Sequence, residues 1–242
     1  MKKGFFLIFG LLAVMAFISC KKKKTAEATD IGQAYYPPTI GRYVIYDVDS
    51  TVYDELFYKA KNSKYQIKEK ITEEYTDSQG RPALKLMRYI KKFDSLVPYS
   101  AMPWTIKDVW QVNISNTKTE IVEENIRLVK LIFPVKESSS WDGNVNNTLG
   151  PLDYTYNYVN ANETVNGINF ANVLQVTQKN FPTLISREYY IEKYAKEVGL
   201  VYREIIDIKF KDTIVPLAYP LNNVYKKYGV VYKSKVLSYG IE

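Results

Sequence analysis

The chain has 242 residues, a single cysteine, no histidine and a formal charge of +7. That inventory excludes Ser-His-Asp and Cys-His nucleophilic centres and any zinc site built from nitrogen and sulfur ligands. Six of the 33 basic residues and two of the 26 acidic ones lie in residues 1–34, which leaves +3 on the remainder, too little for the electrostatic footprint of a nucleic-acid binder.

In chain order, Lys2 and Lys3 precede an almost wholly apolar run from Gly4 to Ile18, followed by Ser19-Cys20. The run is shorter than the ~20 residues a membrane-spanning helix needs, and its basic start is that of a secretion signal. Phe17-Ile18-Ser19-Cys20 resembles the lipobox of bacterial lipoproteins, with Phe17 bulkier than the usual leucine, a looseness similar to that of Bacteroidetes lipoboxes. The resemblance implies cleavage before Cys20 and acylation of its thiol. A lone cysteine in an exported chain has no internal partner, which agrees with that role. Residues 1–19 are therefore expected to be a signal peptide, 20–34 an acylated tether carrying Lys21 to Lys24, and 35–242 one β-rich domain. Lysines at a membrane surface gain about 1 kcal/mol each from anionic headgroups. Surface-exported Bacteroidetes lipoproteins tend to have acidic residues there, so the expected location is the outer membrane, facing the periplasm.

Beyond Tyr35-Tyr36-Pro37-Pro38 the pattern turns to period 2. Arg42 to Asp49 alternates, and a second run is read from Thr51 to Tyr58. Tyr65 to Tyr75 and Ala83 to Phe93, joined by Asp77-Ser78-Gln79-Gly80-Arg81-Pro82, read as a hairpin. Further strands are expected over Ile106–Ile114, Thr119–Glu123, Arg127–Phe133, Leu152–Val159, Ala171–Gln178, Leu184–Tyr194, Leu200–Phe210 and Val230–Leu237. No amphipathic helix with caps at both ends is present, and the 22 tyrosines suit a pleated, half-buried surface. The fold class is all-β: a single antiparallel sandwich or an open, strongly curved barrel-like sheet with few or no helices.

Three segments resemble a group of Bacteroidetes lipoproteins to which no activity is assigned. They are Tyr35 to Tyr53, Glu124 to Asn144 with its Val129-Lys130-Leu131-Ile132-Phe133-Pro134-Val135 core, and Tyr194-Ala195-Lys196-Glu197-Val198-Gly199-Leu200-Val201-Tyr202. The last is also similar to a turn that recurs in large antiparallel sheets of periplasmic lipoprotein-binding proteins. The resemblance implies an exported lipoprotein and brings no catalytic signature.

Among chemistries that remain, a carboxylate pair could hydrolyse glycans; Asp47, Asp49, Asp54 and Glu55 are acidic neighbours, though exposed strand or turn carboxylates are the commoner case. Asp142, Asn144, Asn146, Thr148 and Asp153 fall at positions 1, 3, 5, 7 and 12 of a calcium-loop spacing, but position 6 is Asn147 where glycine is needed and no helices flank it, so a solvated turn is the default. No phosphate loop or dinucleotide fingerprint is present, and no cofactor is expected. Trp110 alternates with apolar Ile106, Val112 and Ile114 and is expected in the core. Trp104, Trp141 and Tyr99, in loops or turns, are the candidate ligand-binding aromatics. The leading expectation is a membrane-anchored, non-catalytic binding or assembly factor of the cell envelope, holding an apolar or lipid-like ligand in a β cleft. The alternatives are a carbohydrate-binding module using the loop tryptophans and a carboxylate-dependent glycan hydrolase. A lipid, a glycan or an envelope protein is the expected partner class.

Overall fold

A computed structural model describes residues 30–211 and 226–242. Cys20 and the expected signal and tether up to residue 29 lie outside the described residues, as does 212–225. One compact unit runs from Ile31 to Glu242, beginning four residues before the expected boundary.

Among the described residues, twelve antiparallel strands form one sheet: β1 (Arg42–Tyr53), β2 (Ala60–Thr76), β3 (Pro82–Lys92), β4 (Thr105–Ile114), β5 (Lys118–Glu123), β6 (Ile126–Ile132), β7 (Ser140–Asp142), β8 (Asp153–Val165), β9 (Ile168–Pro182), β10 (Ser186–Ala195), β11 (Gly199–Phe210) and β12 (Lys227–Ile241). The only helical elements among the described residues are two single 3-10 turns, Gln33–Tyr35 and Tyr99–Ala101, and no helix there is long and apolar enough to cross a membrane. Every neighbouring pair is consecutive in sequence except β1 with β12, which pair from Arg42–Ile241 to Tyr53–Gly229. The sheet therefore begins and ends at its middle, and its two edges are β6 and β7. Curvature brings these edges together into a nearly closed barrel, resolving the sandwich-or-barrel alternative.

The edge-to-edge seam has one backbone bond, Val129 N–H to Gly143 O at 2.9 Å, and is otherwise bridged by side chains. Tyr156 Oη donates to Ile132 O at 2.8 Å and accepts from Ile132 N–H at 2.9 Å. Trp141 Nε1 donates to Val129 O at 2.8 Å, and Asn147 Nδ2 to Arg127 O at 2.9 Å. These bonds satisfy edge groups that would otherwise invite another chain.

Strand alternation decides what fills the barrel. Val44, Tyr46 and Val48 on β1 face Ile67 and Ile71 on β2, Leu84 and Leu86 on β3, and Trp110 and Val112 on β4, all buried in one core with Leu131, Tyr156, Leu174, Val201 and Val236. This core and all twelve strands lie within Ile31–Glu242, so that segment carries what it needs to fold without residues 1–30. Because the strands are antiparallel, the loops after odd-numbered strands gather at one end of the barrel and those after even-numbered strands at the other. The first residues of the unit sit at the even end. There Val135 N–H bonds Ile31 O at 3.0 Å, and Gln33 Nε2 reaches Ser115 O in the β4–β5 turn at 3.0 Å.

Candidate functional site

The barrel interior is not wholly apolar. On β11, Arg203 shares a face with Val201 and Ile205; on β10, Glu192 lies two residues before Tyr194; on β6, Lys130 lies between Leu128 and Ile132. Barrel closure makes these charges meet. Lys130 Nζ lies 2.8 Å from Glu192 Oε1 and 3.0 Å from Glu123 Oε1. Arg203 Nη2 lies 2.7 Å from Glu192 Oε1 and 3.0 Å from Glu123 Oε1. Tyr194 Oη donates to Glu192 Oε2 at 2.6 Å. The Lys130 side chain is 3% exposed and that of Glu192 1%. Beside this square, Arg88 holds Glu69 through Nε at 3.0 Å and both oxygens of Asp108 through Nη1 at 2.9 Å.

Burial disfavours the charged form of each group, yet the opposite charges win. Burial alone would raise the Glu123 carboxyl, but Arg203 and Lys130 bring it down to about 2. Glu192 is likewise lowered, by Lys130 and then Arg203 against its own burial. Lys130 and Arg203 are both raised because Glu123 and Glu192 outweigh desolvation. Burial and the neighbouring Glu192 charge keep the Tyr194 hydroxyl protonated well past its ordinary range. All five groups thus keep one protonation state across neutral pH.

The square forms the inner boundary of an opening at the odd-loop end. A pocket of about 230 Å³ is lined there by Tyr65, Ile67, Ile205 and Tyr232 on its apolar walls and by Arg88, Trp110, Arg203 and Glu123 below. The Arg88 guanidinium lies 3.6 Å from the Trp110 ring centroid and that of Arg203 5.8 Å, so both cations contact one indole. Trp110 is buried at 6% exposure, as its alternation predicts. Two donors in this lining, Trp110 Nε1 and Arg203 Nε, are sealed from solvent and have no hydrogen-bond partner. A second cavity, about 340 Å³ at the even end, is lined by Ala83, Leu84, Val112 and Ile114 beneath Gln33 and Pro38, and none of its lining residues carries an unpartnered buried polar atom. These two cavities lie at opposite ends of the barrel, with buried core residues such as Val44, Tyr46, Leu86 and Val201 in its wall.

The residues singled out from sequence fall in separate places. Tyr99 and Trp104 stand together in the β3–β4 loop at the rim of the odd end. Lys91 Nζ donates to Tyr99 O at 2.8 Å and lies 4.5 Å over the Trp104 ring. Trp141 is at the seam, against Tyr154 and Tyr156 at centroid distances of 5.9 and 4.6 Å, with its N–H spent on Val129. Trp104 and Trp141 do not form one stacking platform. In the calcium-like loop, Asp142 Oδ1 accepts the amides of Asn144 and Leu152, both at 2.9 Å, Asn144 Nδ2 bonds Gly150 O, and Asn146 Nδ2 bonds Glu120. Asp153 is exposed and Thr148 stands outside this bonding, so the loop is a turn that caps itself. No cluster of three or more His, Cys, Asp or Glu side chains that could hold a metal occurs among the described residues. Of the early acidic residues, Asp47 accepts from Gln66, Asp49 pairs with Lys64, and Asp54 caps its own loop.

No family model matches the chain, and no curated protein does. Solved structures similar to it include three of low identity. One, from Bacteroides fragilis, is provisionally described as an exported protein with a YmcC-like fold; it is 10% identical, with 84% of this chain and 97% of that one covered and a TM-score of 0.40. Another, provisionally a lipoprotein from Parabacteroides distasonis, is 12% identical over 85% and 98% of the two chains, with a TM-score of 0.39. A third, provisionally an outer-membrane lipoprotein-sorting protein domain from Vibrio parahaemolyticus, is 9% identical over 88% and 91%, with a TM-score of 0.21.

Proposed function

We propose that this chain is an envelope-anchored, non-catalytic binding protein whose odd-end barrel mouth receives a single-chain anionic amphiphile. The observation that carries this reading is the pair of unpartnered buried donors, Trp110 Nε1 and Arg203 Nε, in one pocket. Buried N–H groups in native proteins are almost always paired, so two exceptions just beneath a cavity point to an acceptor that arrives from outside and shifts the side chains covering them. A phosphate or carboxylate oxygen has that chemistry; because Glu69, Asp108, Glu123 and Glu192 already balance Arg88 and Arg203, these hydrogen bonds and not net charge would hold it. The walls of Tyr65, Ile67, Ile205 and Tyr232 suit the start of an acyl chain. The pocket is too small to enclose a whole lipid, so the rest of the chain would leave through the mouth past Tyr99 and Trp104.

The charge network supports the non-catalytic part. Glu123 and Glu192 touch the same Lys130 Nζ, close enough for a hydrolytic pair. A glycosidase, however, needs one carboxylic acid held protonated near neutral pH, and both of these are driven the other way. Export, acylation at Cys20 and an outer-membrane position facing the periplasm complete the proposal.

The test is calorimetric titration of the Ile31–Glu242 segment with lysophosphatidylglycerol below its micelle concentration. We expect one-site binding that Trp110→Phe weakens about tenfold, the worth of one hydrogen bond to a charged acceptor. Trp141→Phe, at the seam, leaves the affinity of the folded protein unchanged. Absence of binding, or equal affinity in the Trp110→Phe protein, would overturn the assignment.

A further inference from the structure

The loops around the odd end carry large apolar side chains into solvent. Leu56 and Phe57 in the β1–β2 loop are 79% and 71% exposed, Phe93 and Leu96 in the β3–β4 loop 60% and 89%, and Leu184 and Ile185 between β9 and β10 50% and 60%. Folding has not simply failed to bury them. Asp54 Oδ1 accepts the amides of Leu56 and Phe57 at 2.9 and 2.7 Å, and Asp94 Oδ1 accepts that of Leu96 at 2.8 Å, which fixes the loop tips with their side chains outward. Large exposed apolar groups concentrated on one face mark an interaction surface.

Their chemistry selects the occupant. The side chains stand on separate loops around an opening and make no continuous flat patch, a form suited to insertion between headgroups more than to packing against a protein. Exposed Lys59, Lys61, Lys92, Lys209 and Lys226 stand behind them. Of the exposed acids at the same end, Asp49 pairs with Lys64 and Asp54 and Asp94 are engaged with the tip amides, which leaves Glu55, Glu124 and Asp153 against the five lysines. Apolar tips ahead of a belt of long cationic side chains match the boundary between acyl chains and anionic headgroups.

We infer that the odd-end loop tips dock on an anionic phospholipid bilayer, with Leu56, Phe57 and Leu96 entering its headgroup boundary and the lysines meeting its phosphates. The contact is distinct from an acyl anchor, because the chain comes into the barrel at the even end. It also stands without the amphiphile pocket, although it would set the mouth against a lipid source.

The test is co-flotation of the Ile31–Glu242 segment, which lacks Cys20, with vesicles of phosphatidylglycerol and phosphatidylethanolamine. The segment is expected to float with these vesicles, to bind phosphatidylcholine vesicles at least ~10-fold more weakly, and to be released by 0.5 M salt, roughly as headgroup attraction predicts. The triple substitution Leu56→Asp/Phe57→Asp/Leu96→Asp is expected to lower vesicle binding by ~10-fold or more with melting unchanged, since these side chains are exposed. Trp110→Phe, which weakens lysolipid binding, leaves vesicle binding intact, so the two proposals can fail separately. Failure to float, or flotation that the triple substitution does not reduce, overturns the inference. So does self-association that the triple substitution abolishes in a protein that ignores vesicles, which would assign the tips to a second copy of the chain.

Discussion

Replacing Lys130 by Met is expected to destabilise the folded domain by about 3–5 kcal/mol, because it leaves Glu192 and Glu123 buried with only Arg203 between them. For a domain of this size each kcal/mol moves the melting temperature by roughly 2–4 °C, so the midpoint should fall by roughly 6–20 °C. Adding Glu192→Gln to Lys130→Met restores one charge balance, Glu123 with Arg203, and should recover most of the loss. A double-mutant cycle read by thermal melting separates this network from ordinary packing, for which the two losses would simply add.

The same network sets the response to acid. Glu123 has a folded-state value of about 2 against an ordinary 4.5, so the stability it contributes is present above pH 4.5 and is lost as the pH falls toward 2. Glu192, also lowered, acts in the same direction. Lys130, whose value is raised, contributes below its ordinary 10.5 and loses that contribution only as the pH climbs through its higher folded value. Urea midpoints should therefore fall between pH 4.5 and 2, and by less in the Lys130→Met/Glu192→Gln protein. A flat acid profile in the unaltered protein would show that the carboxylates are not held as described.

The second large effect belongs to the seam. Gly143→Ala should cost about 3 kcal/mol, at the upper end of overpacking effects. A Cβ there would clash with the ring of Tyr154, which is only 3% exposed and held edge-on against Trp141. The ring cannot give way without moving Trp141, and the backbone cannot give way without losing the Val129–Gly143 bond that closes the barrel. Hydrogen exchange checks the mechanism. The Val129 and Ile132 amides should exchange faster in the variant, while those of β1 and β12, at the sheet's centre, slow or quicken only with global stability. Equal protection across the sheet would remove the seam from the account.

Much of the fold was legible because alternation follows directly from the pleat. Val44-Tyr46-Val48 and Ile67-Ile71 show it, and these residues are buried as read. Where local chemistry competes, the structure departs from alternation. Thr51 to Tyr58 looked like a strand, but Asp54 turns the chain with its side chain and bonds Lys59 O through its own amide, so β1 stops at Tyr53. β8 and β9 run on to a tight turn at Asn166-Gly167, both with positive φ; that dipeptide is the usual hairpin signal, masked here by the polar stretch before it. β7 has three residues, too few to show any period.

The site was less legible for a related reason. In an alternating strand, lysine, glutamate and arginine ordinarily read as the solvent face, so Lys130, Glu192 and Arg203 do not stand out as buried. Their positions did hold a signal, since each lies two residues from an apolar or aromatic residue and hence on the same face. What sequence could not supply was the closure of β6 against β7, which alone lets a lysine on β6 reach a glutamate on β10. Trp110 could be assigned to the core, but the two arginines on its ring come from β3 and β11, brought together only by the barrel.

The most direct measurement is a native mass spectrum of the full chain purified from its own envelope, recorded beside a denaturing spectrum that removes anything not covalently attached. One bound amphiphile per chain is expected in the native spectrum, absent after denaturation and at much lower occupancy in the Trp110→Phe protein. An empty native protein, or the same adduct at equal occupancy in both proteins, would contradict the assignment of the barrel mouth as the binding site.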